Sequence, residues 1–481
     1  MVEKFYILAV DLGTTKIKLA IFDIEGNLID YTFSEYPIVM KQQGWAEQHP
    51  SLWVDGFKKG IERLKRRGRL KFIRAITVIG QAPTVVFLGK DGKVLRNAIL
   101  WLDNRAEMER DTLLSVGLPF DPRYQSLAHI LWVYHNEKDI YEHTQYFLQP
   151  YDFLNFYLTG EITSSGIPMR DYMPWSKDDA KRLGLSPYKF LDISPIGTPV
   201  GRLKRSLAKE WGIEYEVNII AGGIDFIGAL VGTATLSPGM LCDRGGGSEG
   251  ITLCSRKPLP PGERRISGVP FFIPGLWKIS GITNTSGKAV DWIKDIFSIK
   301  SYQELISHAK KSPYGSKGLI FLPYLSGERS PHWDPYAKGL FFGLTLSHTR
   351  EDMIRAVMEG VVYSIRDIYE IIISLDIEIS HFRTTGGLSK SDFFNQLKAD
   401  ILGIPIEVPY ISDSELLGAA VIGGVGLGVY KDLVEGAMKM YRFRRILYPN
   451  EERKKVYDEL FNIYKGLYPS LFPKFRYNFS Q

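Results

Sequence analysis

Tyr6-Ile7-Leu8-Ala9-Val10-Asp11-Leu12-Gly13-Thr14-Thr15-Lys16-Ile17-Lys18-Leu19-Ala20-Ile21-Phe22 is the stretch from which the fold is read. An apolar run from Tyr6 reaches Asp11, a turn of Gly and two Thr follows, and a second run from Ile17 to Phe22 stops before Glu25-Gly26-Asn27. Apolar and β-branched residues bounded by Gly and Asn predict a β-hairpin. The pattern returns in the second half. Met240-Leu241-Cys242-Asp243 leads into Gly245-Gly246-Gly247-Ser248 and then Gly250-Ile251-Thr252-Leu253-Cys254. Two hairpins with Gly and hydroxyl residues at their tips predict two domains of one topology, residues 1–233 and 234–481, each opening on such a hairpin.

The intervening pattern supports this. Residues 52–65 predict a helix, Ile73–Ile79 a buried strand ending at Gly80-Gln81, and Val85–Leu88 with Val94–Leu95 a hairpin around Gly89-Lys90-Asp91-Gly92. Residues 108–215 read as helix-rich with short Gly/Pro breaks. In the second half, Lys288–Phe297 has apolar residues at helical spacing. Thr349 with Glu351 and Asp352 starts a long helix to about Leu375, and residues 391–402 and 415–428 give two more. Strands alternating with helices in both halves predict an α/β protein.

At 481 residues the chain exceeds what one hydrophobic core usually supports, in keeping with two domains. With 44% hydrophobic and 24% charged residues it has the composition of a globular protein, not a disordered one. A net charge of +6 is thinly spread, and the clusters Lys65–Arg69 and Arg442–Arg445 read as solvated faces, which argues against nucleic acid or a membrane surface as partner. Two cysteines exclude a disulfide framework, and eight scattered histidines lack metal-ligand spacing. A hairpin centred on Ser248 would set Cys242 opposite Cys254, as a cross-strand disulfide or as two reduced core thiols. Met1-Val2-Glu3-Lys4 runs into the first strand without the features of a leader, and no apolar stretch approaches a membrane span, so a cytoplasmic protein is expected.

Four segments could carry chemistry. Asp11-Leu12-Gly13-Thr14-Thr15-Lys16-Ile17-Lys18 offers N–H groups, hydroxyls and lysines to an anion, and Asp11 could hold Mg²⁺ through water; it also reads as a plain hairpin turn. Gly222-Gly223-Ile224-Asp225 places a carboxylate at a strand-to-helix turn, where it could take a proton from a hydroxyl or simply cap the helix. Gln81 with Trp101-Leu102-Asp103-Asn104-Arg105 combines hydrogen-bonding groups and an aromatic face, which suits a sugar and equally a surface network around a half-buried Trp. Thr384-Thr385-Gly386-Gly387-Leu388-Ser389 could let a base or ribose lie on backbone, with Ser412–Gly418 closing the pocket, or could be a tight turn.

Taken together and in order, these segments resemble the FGGY family of carbohydrate kinases, whose fold is shared with hexokinase, actin and heat-shock chaperones. Further matches are Gly44-Trp45-Ala46-Glu47-Gln48-His49-Pro50, Asn97–Arg105, and Asp400-Ile401-Leu402-Gly403 followed by Glu415–Ala420. Leu325-Ser326-Gly327-Glu328-Arg329-Ser330-Pro331-His332-Trp333, then Gly339–Leu344, resembles the xylulokinase branch. The resemblance implies two actin/hexokinase-like (ribonuclease H-like) domains closing over a cleft, the first binding sugar and the second nucleotide. It implies ATP and Mg²⁺ and a small-sugar substrate, with D-xylulose the first expectation and other ketoses or polyols beside it.

It also implies roles. Asp225 stands where the family keeps its catalytic base, and Asp11 matches an aspartate near Mg²⁺. Gly13, Thr14, Thr15 and Lys18 match the loop under the phosphates; Gly246, Gly247 and Ser248 match the second loop. Gly287, Gly386, Gly387 and Asn395 fall on the nucleotide side, and Gln81, Trp101, Asp103 and Arg105 on the sugar side. Three positions depart from the pattern. Lys16 replaces a small residue, Gly247 replaces a frequent threonine, and Gln81-Ala82-Pro83-Thr84 lacks both the Met-His of many xylulokinases and the Gln-Arg-Glu-Thr of glycerol kinases. A sugar-independent ATPase of the chaperone or filament kind is the reading from another class. A homodimer is an open expectation, since paired subunits are common in such kinases but no segment specifies an interface.

Overall fold

Both predicted hairpins form, and each seeds a sheet of the same design. A computed structural model of the protein describes residues 5–121 and 123–476. The reading of the chain's start falls on Met1–Lys4, outside the described residues. The first sheet uses β1 (Tyr6–Leu12), β2 (Lys16–Phe22), β3 (Leu28–Glu35), β4 (Ile73–Gly80), β5 (Pro199–Arg202) and β6 (Asn218–Ile224), in the order β5-β6-β4-β1-β2-β3. The second uses β7 (Met240–Gly245), β8 (Glu249–Ser255), β9 (Ser267–Pro270), β10 (Trp277–Thr283), β11 (His381–Gly386), β12 (Ile406–Pro409) and β13 (Phe443–Leu447), in the order β9-β10-β8-β7-β11-β12-β13.

Strand directions repeat as well. β1 pairs antiparallel with β2 and parallel with β4, and β4 is parallel to β6. Likewise β7 is antiparallel to β8 and parallel to β11, which is parallel to β12. β1 is buried along its whole length, as a strand covered on both faces must be. The α/β fold of two similar domains is thus present.

The helices expected from sequence are α1 (Ser51–Arg66), α4 (Gly287–Ile296), α5 (Arg350–Ser374), α6 (Asp392–Leu402) and α7 (Ser414–Gly426), while α2 (Pro150–Thr159) and α3 (Asp225–Gly232) complete the set used below. Thr349 and Asp352 form a reciprocal capping box that fixes the start of α5.

The chain divides into one unit of Met1–Gly232 with Ser414–Tyr441 and another of Thr233–Asp413 with Arg442–Gln481. The expected break at 233/234 lies within a residue of the first segment's end, but 414–441, assigned to the second domain from sequence, packs with the first unit. The reason is close helix contact. A β-carbon on Gly418 of α7 would lie 1.9 Å from the carbonyl oxygen of Gly228, and one on Gly232 of α3 would lie 1.8 Å from that of Ser414. The glycines let α3 and α7 touch through backbone, a contact no linear pattern reveals. Gly418→Ala should therefore cost about 3 kcal/mol, the upper end of overpacking penalties. Urea denaturation reads this directly; an unchanged midpoint would show that the contact yields.

The second hairpin also differs in register. Gly245 pairs with Glu249, which centres the turn on Gly247, one residue before Ser248. Cys242 consequently faces Thr252, and both cysteines are buried, neither of them in a disulfide. Burial pushes the Cys254 thiol up to about 12.

Candidate functional site

Three parallel strands of the first unit end side by side. Leu12 and Ile224 each pair with Gly80, so Gly13, Gln81 and Asp225 follow the carboxyl ends of β1, β4 and β6. Open α/β sheets bind ligands there, because the loops that leave the strand ends are free to vary.

Asp225 reaches its position through a bulge. The β6 ladder slips between Ala221 and Gly223, where Ala221 pairs with Val78 and Gly223 with Ile79. Gly222 sits so close that a β-carbon would stand 1.9 Å from the Val78 carbonyl oxygen, and Gly223 has φ +118°. Both glycines are required by the bulge, which re-aims the strand end just before the carboxylate. Asp225 is half-buried as the first residue of α3. Its charge is felt at the buried Tyr151 of α2, whose hydroxyl is pushed well above its ordinary range by burial first, then by Asp152 and Asp225.

The first turn is tied to neighbours on both sides. Gly13 N–H closes on the Lys16 carbonyl at 3.0 Å, and the Tyr36 hydroxyl donates to the Gly13 carbonyl at 2.6 Å. Gln48 Nε2 donates to the Thr14 carbonyl at 2.7 Å, and Trp101 Nε1 to Thr14 Oγ1 at 2.9 Å. Thr15 is exposed at the tip. Lys18 Nζ lies 2.9 Å from Asp11 Oδ2, so the buried carboxylate has a permanent counter-charge. Lys16 holds its ammonium 5.9 Å from the Phe33 ring centre.

Among the described residues no group of three or more His, Cys, Asp or Glu side chains is arranged to hold a metal. A single carboxylate at a strand end suits Mg²⁺, which keeps most of its waters. Asp11 fits that description with one oxygen already paired to Lys18.

On the expected sugar side the structure separates two kinds of residue. Gln81 is only 2% exposed, yet neither its Oε1 nor its Nε2 has a hydrogen-bond partner. A buried carboxamide left so is costly, and a ligand hydroxyl would relieve it. Trp101 has an exposed ring, and its main chain is fixed by Thr84 Oγ1 at 3.2 Å and Gln125 Nε2 at 2.6 Å.

Asp103 and Arg105, also expected on the sugar side, are engaged with protein neighbours, although Arg105 Nη1 is buried without a partner. Asp103 accepts from Ala46 N–H at 2.5 Å, and from the Arg105 N–H and Nε at 2.9 Å. Arg105 Nη2 bridges Asp103 and Glu47 at 2.8 Å each, and its guanidinium lies 3.8 Å from the Trp45 ring centre. Both side chains are enclosed, so they brace the Trp101 loop. His129 adds to the brace through the Asp103 carbonyl at 3.2 Å, and burial lowers its imidazole to about 4, which makes Nε2 a neutral donor at neutral pH.

In the second unit Gly246 and Gly247 form the β7–β8 turn with Ser248. The first turn of α4 holds it: Gly287 N–H donates to the Gly246 carbonyl at 2.9 Å, Ser286 N–H to the Gly247 carbonyl at 2.9 Å and Lys288 N–H to the same oxygen at 3.2 Å. Gly287 is required there, since a β-carbon would lie 2.5 Å from the Gly246 oxygen. Gly245 pairs with Gly386, and a β-carbon on Gly386 would meet the Gly245 oxygen at 2.3 Å, so this glycine serves the ladder. Gly387 is different: it is exposed, with open space where a side chain would be. Asn395 is buried, with Nδ2 on the Ser389 carbonyl at 2.7 Å and Oδ1 unpartnered. Ser412 accepts from Gly386 N–H and Thr385 Oγ1, whereas Gly418 faces α3.

Sequence reasoning assigned no role to Tyr36, Gln48, His129, Lys288 or Lys398. Glu47 and Gln48 stood in a quoted segment, and Lys288 and Lys398 in predicted helices; nothing local marked Tyr36 or His129.

Comparison with known proteins identifies the family. The N-terminal domain profile of the FGGY family of carbohydrate kinases matches residues 6–232, and the C-terminal domain profile residues 245–427. The chain is 29% identical to a xylulose kinase of Staphylococcus epidermidis over 97% of both chains. It is 26% identical to a gluconokinase of Bacillus subtilis, over 96% of this chain and 95% of the relative. A crystal structure described as ligand-bound xylulose kinase from Lactobacillus acidophilus superposes with TM-score 0.84 at 26% identity, covering 97% of this chain and 98% of that one.

Proposed function

Since the chain belongs to the FGGY family of carbohydrate kinases and is a sugar kinase, we infer that it transfers the γ-phosphoryl group of ATP to a hydroxyl of a ketopentose such as D-xylulose. The observation that carries this is the trio following three neighbouring parallel strand ends: the first turn after β1, Gln81 after β4 and Asp225 after β6. Gln81 supplies unpaired hydrogen-bonding atoms for the sugar, Trp101 an apolar face, and Asp225 the general base that takes the proton as the hydroxyl attacks.

Gly13, Thr14 and Thr15 of the first turn are assigned to phosphate; Gly246, Gly247 and Ser248 of the second turn are likewise assigned to phosphate, with the open face of Gly387 toward the nucleoside. Mg²⁺ supplies charge neutralisation to the phosphates when bound, with Asp11 its protein-side carboxylate through water. Lys18 keeps Asp11 oriented, while Asp103, Arg105 and Glu47 hold the Trp101 loop still.

The test is sugar-dependent ADP release, coupled to sugar-phosphate detection, over ketoses, aldonates and polyols. ADP matched by D-xylulose phosphate supports the reading; sugar-independent ADP release would make the protein an ATPase. A preference for gluconate would place it with the gluconokinase relative instead.

Gln81→Ala should raise KM for the sugar about tenfold, the worth of one or two hydrogen bonds to neutral hydroxyls, with KM for ATP unchanged. Asp103→Ala should lower the melting temperature, because it removes one of the two carboxylates that pair the buried Arg105 guanidinium. Equal effects of Gln81→Ala on both substrates would remove Gln81 from the sugar side.

A further inference from the structure

The two glycine turns differ in the cation each carries. At the first, Lys18 is committed to Asp11 at 2.9 Å. At the second, Lys288 extends from the first turn of α4 across Gly247. A β-carbon placed on Gly247 would lie 3.4 Å from both Cγ and Cε of Lys288. The ammonium is one bond beyond Cε, exposed, and makes no hydrogen bond or ion pair with any described residue. The next acid on its own helix, Asp291, accepts instead from the Tyr302 hydroxyl.

The turn under this lysine is rigidly placed, since the three N–H groups of Ser286, Gly287 and Lys288 all bind its carbonyls. Those carbonyls therefore point to the helix, and Gly247 presents a surface without a side chain of its own. A threonine hydroxyl would stand two bonds from that Cα. The lysine reaches the same surface from the side with a full positive charge.

Resting on the kinase reading above, the geometry points to Lys288 as a direct contact for the nucleotide's polyphosphate, supplying at the second turn the donor that Gly247 lacks. Lysine suits this task as a mobile point charge with three donors. Because the ammonium is exposed, its attraction is screened and its effect moderate.

The experiment titrates ATP and, separately, AMP into wild type, Lys288→Met and Lys288→Arg without sugar, and measures KM for both substrates where turnover occurs. Lys288→Met is expected to weaken ATP binding about tenfold, to leave AMP binding and the sugar KM unaltered, and to narrow its gap from wild type as salt rises. Lys288→Arg should retain most of the affinity. Adding Gly247→Thr to Lys288→Met should restore part of it through a hydroxyl at the same place. Equal loss of ATP and AMP, or ATP affinity within about twofold of wild type, overturns the assignment. Wild-type protein that binds ATP yet phosphorylates no sugar would fail the functional reading while leaving Lys288 testable by the titration itself.

Discussion

Asp225→Asn lowers kcat by about 10²–10⁴ while ATP affinity stays near wild type: this is the result expected if the carboxylate is the general base. The substitution preserves shape and removes basicity. Asparagine serves as well as aspartate at a helix start, so α3 should begin where it does now and the melting temperature should hardly move. The competing view, that Asp225 is only a cap, makes the opposite forecast of intact turnover. The position favours a chemical role. A bulge that requires two glycines is an elaborate way to begin a helix, but a direct way to bring a carboxylate past the end of a central strand. Steady-state rates at saturating ATP and sugar, with the melting temperature as control, decide the matter. Wild-type turnover in the variant would leave the proposed mechanism without its base.

Most of the fold could be read from the chain because it is written locally. The two hairpins announce themselves by apolar runs around Gly/Thr and Gly/Ser turns, and matching strand order in both sheets bears out the repeat. The start of α5 follows from Thr349 with Glu351 and Asp352 in the first turn. What stayed hidden is set by partners far away in sequence. Nothing near Gly418 says that Gly228 presses on it from 190 positions earlier, so α7 could not be assigned to the first unit. Asp103 looked like a ligand because its type is right for sugar; only the fold shows Ala46 N–H and Arg105 occupying both its oxygens. Gln81 looked no different and proved to have its polar atoms unspent. Side-chain chemistry can nominate a binding residue, but whether its hydrogen bonds are already used depends on neighbours.

Lys398 is where such a distant arrangement should matter most. Its ammonium is wholly buried between Asp243 of β7 and Glu249 of β8, and Glu249 also receives the Ser286 hydroxyl from the start of α4. The group thus ties α6, both strands of the second hairpin and α4 together beneath the glycine turn. Burial and the neighbouring Glu249 push the Asp243 carboxyl well above the usual carboxylate range. Against its own burial, Glu249 is held below that range by Lys398. Lys398→Met removes the only cation of the triad and leaves two carboxyl groups facing each other away from water. Breaking a buried pair from one side costs about 3–5 kcal/mol, because the remaining charge is uncompensated. A loss of that size should appear in urea denaturation, and KM for ATP should rise in whatever folded protein remains, since the turn loses its anchor. Replacing all three groups by neutral ones, Lys398→Met with Asp243→Asn and Glu249→Gln, should recover much of the stability. It should not recover the ATP affinity if the ionic ties are what place the turn. Should Lys398→Met unfold at the wild-type urea concentration, the triad carries no structural weight and the glycine turn is held by the first turn of α4 alone.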